Sequence, residues 1–510
     1  VGEARVSRWW LALAVMLAWF AALGWLVARE RAAGGEAREL AANARRVGPA
    51  SASYAVEIAG RRVGFATTTV DTLADGIRAA LRYDVTLPAG DGGTRVLVAE
   101  ETYMSRDLAL RSFSAALRSG EGGPLMSSGE VRYGLLDWSV AAAHADTATA
   151  RFALARGAVP RTGIPLRVAF SGRMETGVRF ELTVVDPLGA RPAPATIHVG
   201  RDSLFLVADS ATLDPATRRW SAAHADTVRA WQVETAGSAP ASLWVDAQGQ
   251  MVEATTAEGF VLRRAPFEVV TAPPERSDSG EAAWPVPPAG RLDHEPGALD
   301  RLTVVLAPGA DRWRDPLDGG AQQLRGDTLA VGRPGGSLAP AYRLPNADTA
   351  LAAELAPDAL VPSRDPAVVT QAERIVAGER RPQVAASLLA AWLARSVARD
   401  PHGTADARLA LAFRRGDVTA HAELFVAFAR AIGLPARLAG GAVYDHGRWW
   451  YHTWTEVWLD GWVAADPWFG TMPAPASYVR LVAGVPGRPF QVIPLLQRLA
   501  PRVLSSTEHR

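Results

Sequence analysis

Cysteine is absent from the 510-residue chain and, read residue by residue, so is lysine. A thiol nucleophile, a disulfide, a zinc–cysteine or iron–sulfur site and a lysine amine are excluded at the start. Nine histidines remain, but none falls in an HxxxH or HExxH spacing, so no metal and no cofactor is expected. The residues that could still do chemistry gather between Gly416 and Gly470, where His421, His446 and His452 accompany Asp417, Thr419, Glu456 and Asp466. An imidazole beside a carboxylate can move a proton to or from water or a hydroxyl. Six tryptophans (Trp449, Trp450, Trp454, Trp458, Trp462 and Trp468) crowd into 20 residues of the same stretch. Strand alternation divides them between two faces, so some must line a groove or meet solvent.

Positioning these groups requires a helix and a sheet. Asp417 or Thr419 suits the N-cap of a helix over 418–432, in which Leu424, Phe425, Phe428 and Ile432 recur at helical spacing and Gly433 with Pro435 supplies the stop. Ala436 to Tyr444, Trp449 to Trp458 and Trp462 to Ala465 read as strands, with Asp445-His446-Gly447 turning between the first two. Register then decides whether His452 and Asp466 meet. A two-residue turn at Asp460-Gly461 would set Asp466 opposite Thr455, on the face away from His452. A three-residue loop, Leu459-Asp460-Gly461, with Gly461 left-handed in a bulge, sets Asp466 opposite Trp454 and diagonally beside His452. Only the bulged loop brings the imidazole and the carboxylate together.

Gly416-Asp417-Val418 with His421-Ala422-Glu423-Leu424-Phe425 is followed by Arg430-Ala431-Ile432-Gly433-Leu434-Pro435-Ala436-Arg437. His452-Thr453-Trp454-Thr455-Glu456-Val457, Gly461-Trp462-Val463 and Asp466-Pro467 complete the series. In this order the segments resemble the motifs of the transglutaminase-like superfamily, whose fold is related to papain. Val361 to Pro366 resembles the family's entry into the domain, so the likeness covers about 361–470. The resemblance implies a cysteine nucleophile at a helix N-terminus, a histidine on one strand and an aspartate on the next. His452 and Asp466 match the last two, with Asp466 accepting a proton from one ring nitrogen and leaving the other facing the helix start, which makes the bulged loop the expectation. At the cysteine position stands Val418. The family's thiol would attack an amide carbonyl to form an acyl-enzyme, and valine has no lone pair with which to do so. Thr419 lies about 100° round the helix, and capping is the ordinary task of Asp417. Asp417, Thr419, His421, Trp450, Trp454 and Glu456 are expected to support the site or line its groove, with His421 packing or hydrogen-bonding and Arg437 structural. Without the resemblance, His452 between Trp450 and Trp454 would read as a core histidine.

The rest of the chain predicts an α+β protein of several units. Hydrophobic residues make up 48% and charged residues 21%, enough apolar surface for sizeable cores. A net charge of +1, from 54 basic and 53 acidic residues without a basic cluster, excludes a nucleic-acid partner. After a short segment, 1–8, the 19 uncharged residues Trp9 to Val27 predict an N-terminal transmembrane helix with tryptophans at both ends; a cleaved signal peptide is the competing reading. Residues 28–49 read as a polar helical stalk, and 50–270 as an antiparallel β domain. Tyr54–Ile58 with Val63–Phe65 and Leu243–Val245 with Met251–Val252 form hairpins there, and Arg95–Val98, Leu166–Phe170, Arg179–Val185 and Ser203–Val207 are further strands. That run of hairpins resembles the half-barrel carriers of the bacterial envelope, which bind lipid or lipoprotein; a scaffold or spacer is the plainer reading. A Pro- and Gly-rich linker (271–299), a small β module (300–345), the transglutaminase-like domain (350–490) and a C-terminal helix and tail (491–510) complete the plan.

Three functions fit. The first is a membrane-anchored pseudoenzyme of the bacterial envelope that binds peptide or protein segments, with the bulk of the chain periplasmic or extracytoplasmic. The second is an active amide hydrolase or acyl transferase in which His452 and Asp466 work without cysteine. The third is an envelope carrier or assembly factor acting through the β domain. The missing nucleophile weighs against an enzyme.

Overall fold

The structure is a computed structural model that describes Met16 and residues 40–508, apart from 59, 90–91, 120–123, 143–146, 189–191, 238–240, 257–258, 273–289, 291, 293, 335–337, 359, 401–406, 446–447 and 485–488. Apart from Met16, the expected membrane helix lies outside the described residues, as do His446 and most of the expected linker. Among the described residues no helix is long and apolar enough to cross a membrane.

The α+β architecture is present, with a large sheet followed by a helix-rich C-terminal region. Alternating burial drives the first meander: β1 (Ala50–Ile58), β2 (Arg61–Thr72), β3 (Gly76–Ala89), β4 (Gly92–Ser105), β5 (Leu110–Ser119), β6 (Leu125–Arg132), β7 (Leu135–Ala142) and β8 (Ala148–Ala153). A second comprises β9 (Val159–Pro160), β10 (Arg179–Val185), β11 (Ala193–Asp214), β12 (Arg219–Gly237), β13 (Ala241–Asp246), β14 (Met251–Thr255) and β15 (Val261–Arg264). β1 pairs with β15, joining them into one 15-stranded sheet, antiparallel except where β9 meets β10. The sheet curls, because Val185 of β10 packs with Leu110, Phe113, Leu136 and Trp138 from the other meander.

One expectation here needs correction, and two segments take a more definite form than expected. Leu166–Phe170 is no strand: α1 (Ile164–Ala169) runs through it, with Pro165 in its first turn, and puts Ile164 and Val168 into the sheet's core. The end of the polar helical stalk packs on the sheet, with Leu40, Ala44 and Val47 buried against Ile77, Met104, Leu108 and Leu166. The C-terminal tail is a strand. The β module is built from β16 (Leu299–Val305), β17 (Gln322–Arg325) and β18 (Thr328–Gly332), and β25 (Arg502–Glu508) joins it as an edge beside β16.

The helical region opens with α2 (Pro366–Val376), whose cap Asp365 accepts from the N–H groups of Ala367 and Val368. There follow α3 (Pro382–Ser396), β19 (Ala398–Arg399), α4 (Ala407–Phe413), β20 (Arg415–Gly416) and α5 (Val418–Ala431). α5 is buried on every side from Thr419 to Ala429, so it is a central rod rather than an amphipathic surface helix. Leu424, Phe425 and Phe428 share one core with Val368, Ala372, Leu389, Leu393 and Ala410 of the other helices and with Leu438 and Val457 of the sheet. That sheet has the order β23 (Trp462–Ala465), β22 (Arg448–Trp458), β21 (Ala436–Asp445), β24 (Tyr478–Ala483). α6 (Pro489–Leu499) ties the units together: Ile493 enters the core of the large sheet, and Val492, Leu495, Leu496 and Leu499 enter the core shared by the β module and β21, β22 and β24.

Candidate functional site

The helix start forms as its sequence dictates. Asp417 is extended and its carboxylate accepts from the Ala420 N–H at 2.7 Å, so the cap is Asp417 and Val418 is the first helical residue. Thr419 is 3% exposed and His421 fully buried, which removes both from any groove surface. His421 Nδ1 lies 2.8 Å from the Asp417 carbonyl and Nε2 3.2 Å from that of Val397. Burial holds its imidazole below the ordinary value, against the raising effect of those carbonyls.

The turn between β22 and β23 has the three-residue length required. Trp458 pairs with Trp462 and Thr455 with Ala465, which carries Asp466 to the level of Trp454. The left-handed residue, however, is Asp460 (φ 56°) and not Gly461. Aspartate tolerates that conformation better than most residues, and its carboxylate accepts from the Ala341 N–H at 3.0 Å.

His452 Nε2 and Asp466 Oδ2 are 2.7 Å apart. Asp466 is fully buried; Oδ2 also accepts from the Tyr478 hydroxyl at 2.5 Å, and Oδ1 accepts from the N–H groups of Trp468 and Phe469 at 2.8 and 3.3 Å. Burial pushes the carboxyl up, but the neighbouring His452 and the donated hydrogen bonds outweigh it and hold Asp466 below the usual carboxylate value. Burial, followed by the Asp466 charge, raises the Tyr478 hydroxyl and keeps it a donor. With Nε2 engaged, Nδ1 is the ring nitrogen left for other work; among the described residues it has no hydrogen-bond partner, and the ring keeps 7% of its surface exposed.

The sheet separates the helix body from this pair. Leu438 and Val457 lie on the face that packs against α5, whereas His452, Trp454, Tyr478 and Arg480 lie on the other. The first turn of α5 reaches the pair round the sheet edge: the rings of His421 and Trp468 are 4.9 Å apart, and the backbone N–H of Trp468 donates to Asp466. Gly441 sits directly opposite His452, and a side chain there would meet the Val479 carbonyl at 2.0 Å.

Of the expected groove residues, Trp450 is 48% exposed on the His452 face, whereas Trp454 is buried beneath the imidazole with ring centroids 6.3 Å apart. Glu456 lines no groove. It is buried between Arg437, at 2.6 Å, and Arg480, at 2.8 Å. Sequence reasoning missed Tyr478, because nothing local marks a residue on the strand at the sheet's opposite edge. It also missed Phe469, 51% exposed with its ring centroid 5.6 Å from that of His452.

Tyr478→Phe removes one donor to a buried carboxylate and should cost about 1.5–3 kcal/mol at neutral pH. Because the folded-state pKa of Asp466 is depressed, the stabilisation is present above the unfolded value near 3.9 and fades as pH falls through the lower folded value. Chemical denaturation of both forms at pH 7 and in acid measures this, with the difference between them expected to shrink in acid.

A histidine held by a buried carboxylate can move a proton, and the capped start of α5 is connected to it through the contact of His421 with Trp468. A family model for the transglutaminase-like superfamily matches residues 369–467. Residues 369–467 form a transglutaminase-like superfamily domain, and the chain that carries it contains no cysteine. No curated protein matches the chain. Among solved structures, a β-barrel-like protein of domain of unknown function DUF1849 from Brucella abortus is 12% identical, over 43% of this chain and 96% of that one, with TM-score 0.31. A Cytophaga hutchinsonii protein described as "a Putative Cysteine Protease" is 14% identical, over 44% of this chain and 80% of that one, with TM-score 0.26.

Proposed function

We propose that the transglutaminase-like domain is a pseudoenzyme that binds peptide or protein segments without acyl transfer, held at the membrane of a bacterial envelope by residues 9–27. The observation that carries this reading is the intact His452–Asp466 pair, braced by Tyr478, in a chain with valine at the first position of α5 and no thiol anywhere. The exposed rings of Trp450 and Phe469 beside His452 supply apolar surface for a ligand. The engagement of Asp417 as a cap and the burial of Thr419 weigh against either acting as a substitute nucleophile.

Full-length protein in detergent, incubated with a fluorophosphonate probe and a glutaminyl peptide, tests the reading. No adduct should map to 417–419 and no ammonia should be released. The protein should retain members of a biotinylated peptide library that the double variant Trp450→Ala, Phe469→Ala releases. An adduct on Thr419, or ammonia release abolished by His452→Ala, would replace the pseudoenzyme with the cysteine-independent hydrolase or transferase.

A further inference from the structure

Arg399 belongs to no part of the site so far described, yet the backbone places it there. It ends β19, and the parallel pairing of β19 with β20 sets it opposite Gly416, the residue just before the N-cap Asp417. Its guanidinium carbon lies 5.8 Å from the centroid of Trp468 and 5.3 Å from that of Phe469. Those two rings connect it with both halves of the site, Trp468 touching His421 and Phe469 touching His452.

Arg399 is exposed, and the nearby carboxylates are engaged elsewhere. Asp400 faces Arg415 at 3.6 Å, Asp417 caps α5, and Asp466 is held by His452 and Tyr478. Among the described residues, no carboxylate lies within ion-pair distance of Arg399. A guanidinium oriented by aromatic rings rather than by an ion pair keeps its charge and its donors for whatever enters beside it. We propose that Arg399 is a specificity-determining residue, favouring ligand segments that present a carboxylate next to Val418. The assignment rests on the peptide-binding reading of this site.

The full-length Val418→Cys variant tests it with two alkylating agents. In both, the thiolate forms a bond to the reagent's methylene carbon and iodide leaves; iodoacetate carries a carboxylate where iodoacetamide carries an amide. The ratio of their rate constants therefore reports the local charge. Arg399→Gln should lower the iodoacetate-to-iodoacetamide ratio about two- to threefold, as expected for one exposed charge acting through water. Arg399→Lys should keep most of the preference, Arg399→Glu should lower the ratio further, and 1 M salt should flatten the series. Rapid alkylation by both reagents, with a ratio indifferent to Arg399→Gln and Arg399→Glu, would overturn the assignment while leaving the site reading intact. Slow reaction with both reagents in every background would overturn the site reading, and the assignment with it.

Discussion

Glu456→Gln should destabilise the protein by about 3–5 kcal/mol, because it leaves the buried Arg480 and the part-buried Arg437 without their shared counter-charge. Glu456 is 4% exposed, with Oε2 taken by Arg437 and Oε1 by Arg480. Arg480 is itself 3% exposed and donates to the carbonyls of Asp318 and Gly319, while its own backbone N–H donates to Gln322. The ion network therefore fastens the transglutaminase-like sheet to the β module, and the amide introduced by the substitution would present a donor where both neighbours need an acceptor. Arg437→Met should cost less, since Glu456 keeps Arg480 and since burial already lowers the Arg437 guanidinium, which lies 4.0 Å above the Trp462 ring. Chemical denaturation followed by tryptophan fluorescence measures both, with the Glu456 variant expected to unfold at clearly lower denaturant.

Much of the site's frame was legible because it is local or periodic. Capping chemistry offered Asp417 or Thr419 as the start of α5, and the period of two along β22 and β23, together with the His–Asp pair that the family resemblance implies, selected the three-residue loop that brings Asp466 to His452. The residue within that loop that turns left-handed was not legible, since the Ala341 N–H that holds Asp460 comes from far along the chain. Leu166–Phe170 was misread because a short apolar run fits strand and buried helix alike; Pro165 at the first turn was the signal that favoured helix. The strand in the C-terminal tail was not legible either. Pro501 ends the helical pattern, but pairing of Arg502–Glu508 with Leu299–Val305 depends on a contact spanning about 200 residues. Tyr478, Arg480 and Arg399 escaped notice because their roles arise only once β24 lies beside β21 and β19 beside β20.

The central claim is that this domain keeps a working His–Asp frame and lacks only the nucleophile. The pH dependence of iodoacetamide alkylation in full-length Val418→Cys tests it most directly. Cysteine is smaller than the half-buried valine it replaces, so the cost in stability should be on the order of 1 kcal/mol and folding should survive. A thiol at the first position of α5, with the Nδ1 of His452 free to receive its proton, should titrate at about 7 or lower rather than near 8.5. His452→Ala in the same background should move that value back toward 8.5 and slow the reaction near neutral pH. A thiol that titrates near 8.5 and is indifferent to His452 would contradict the claim, and would show that the catalytic geometry has gone along with the cysteine.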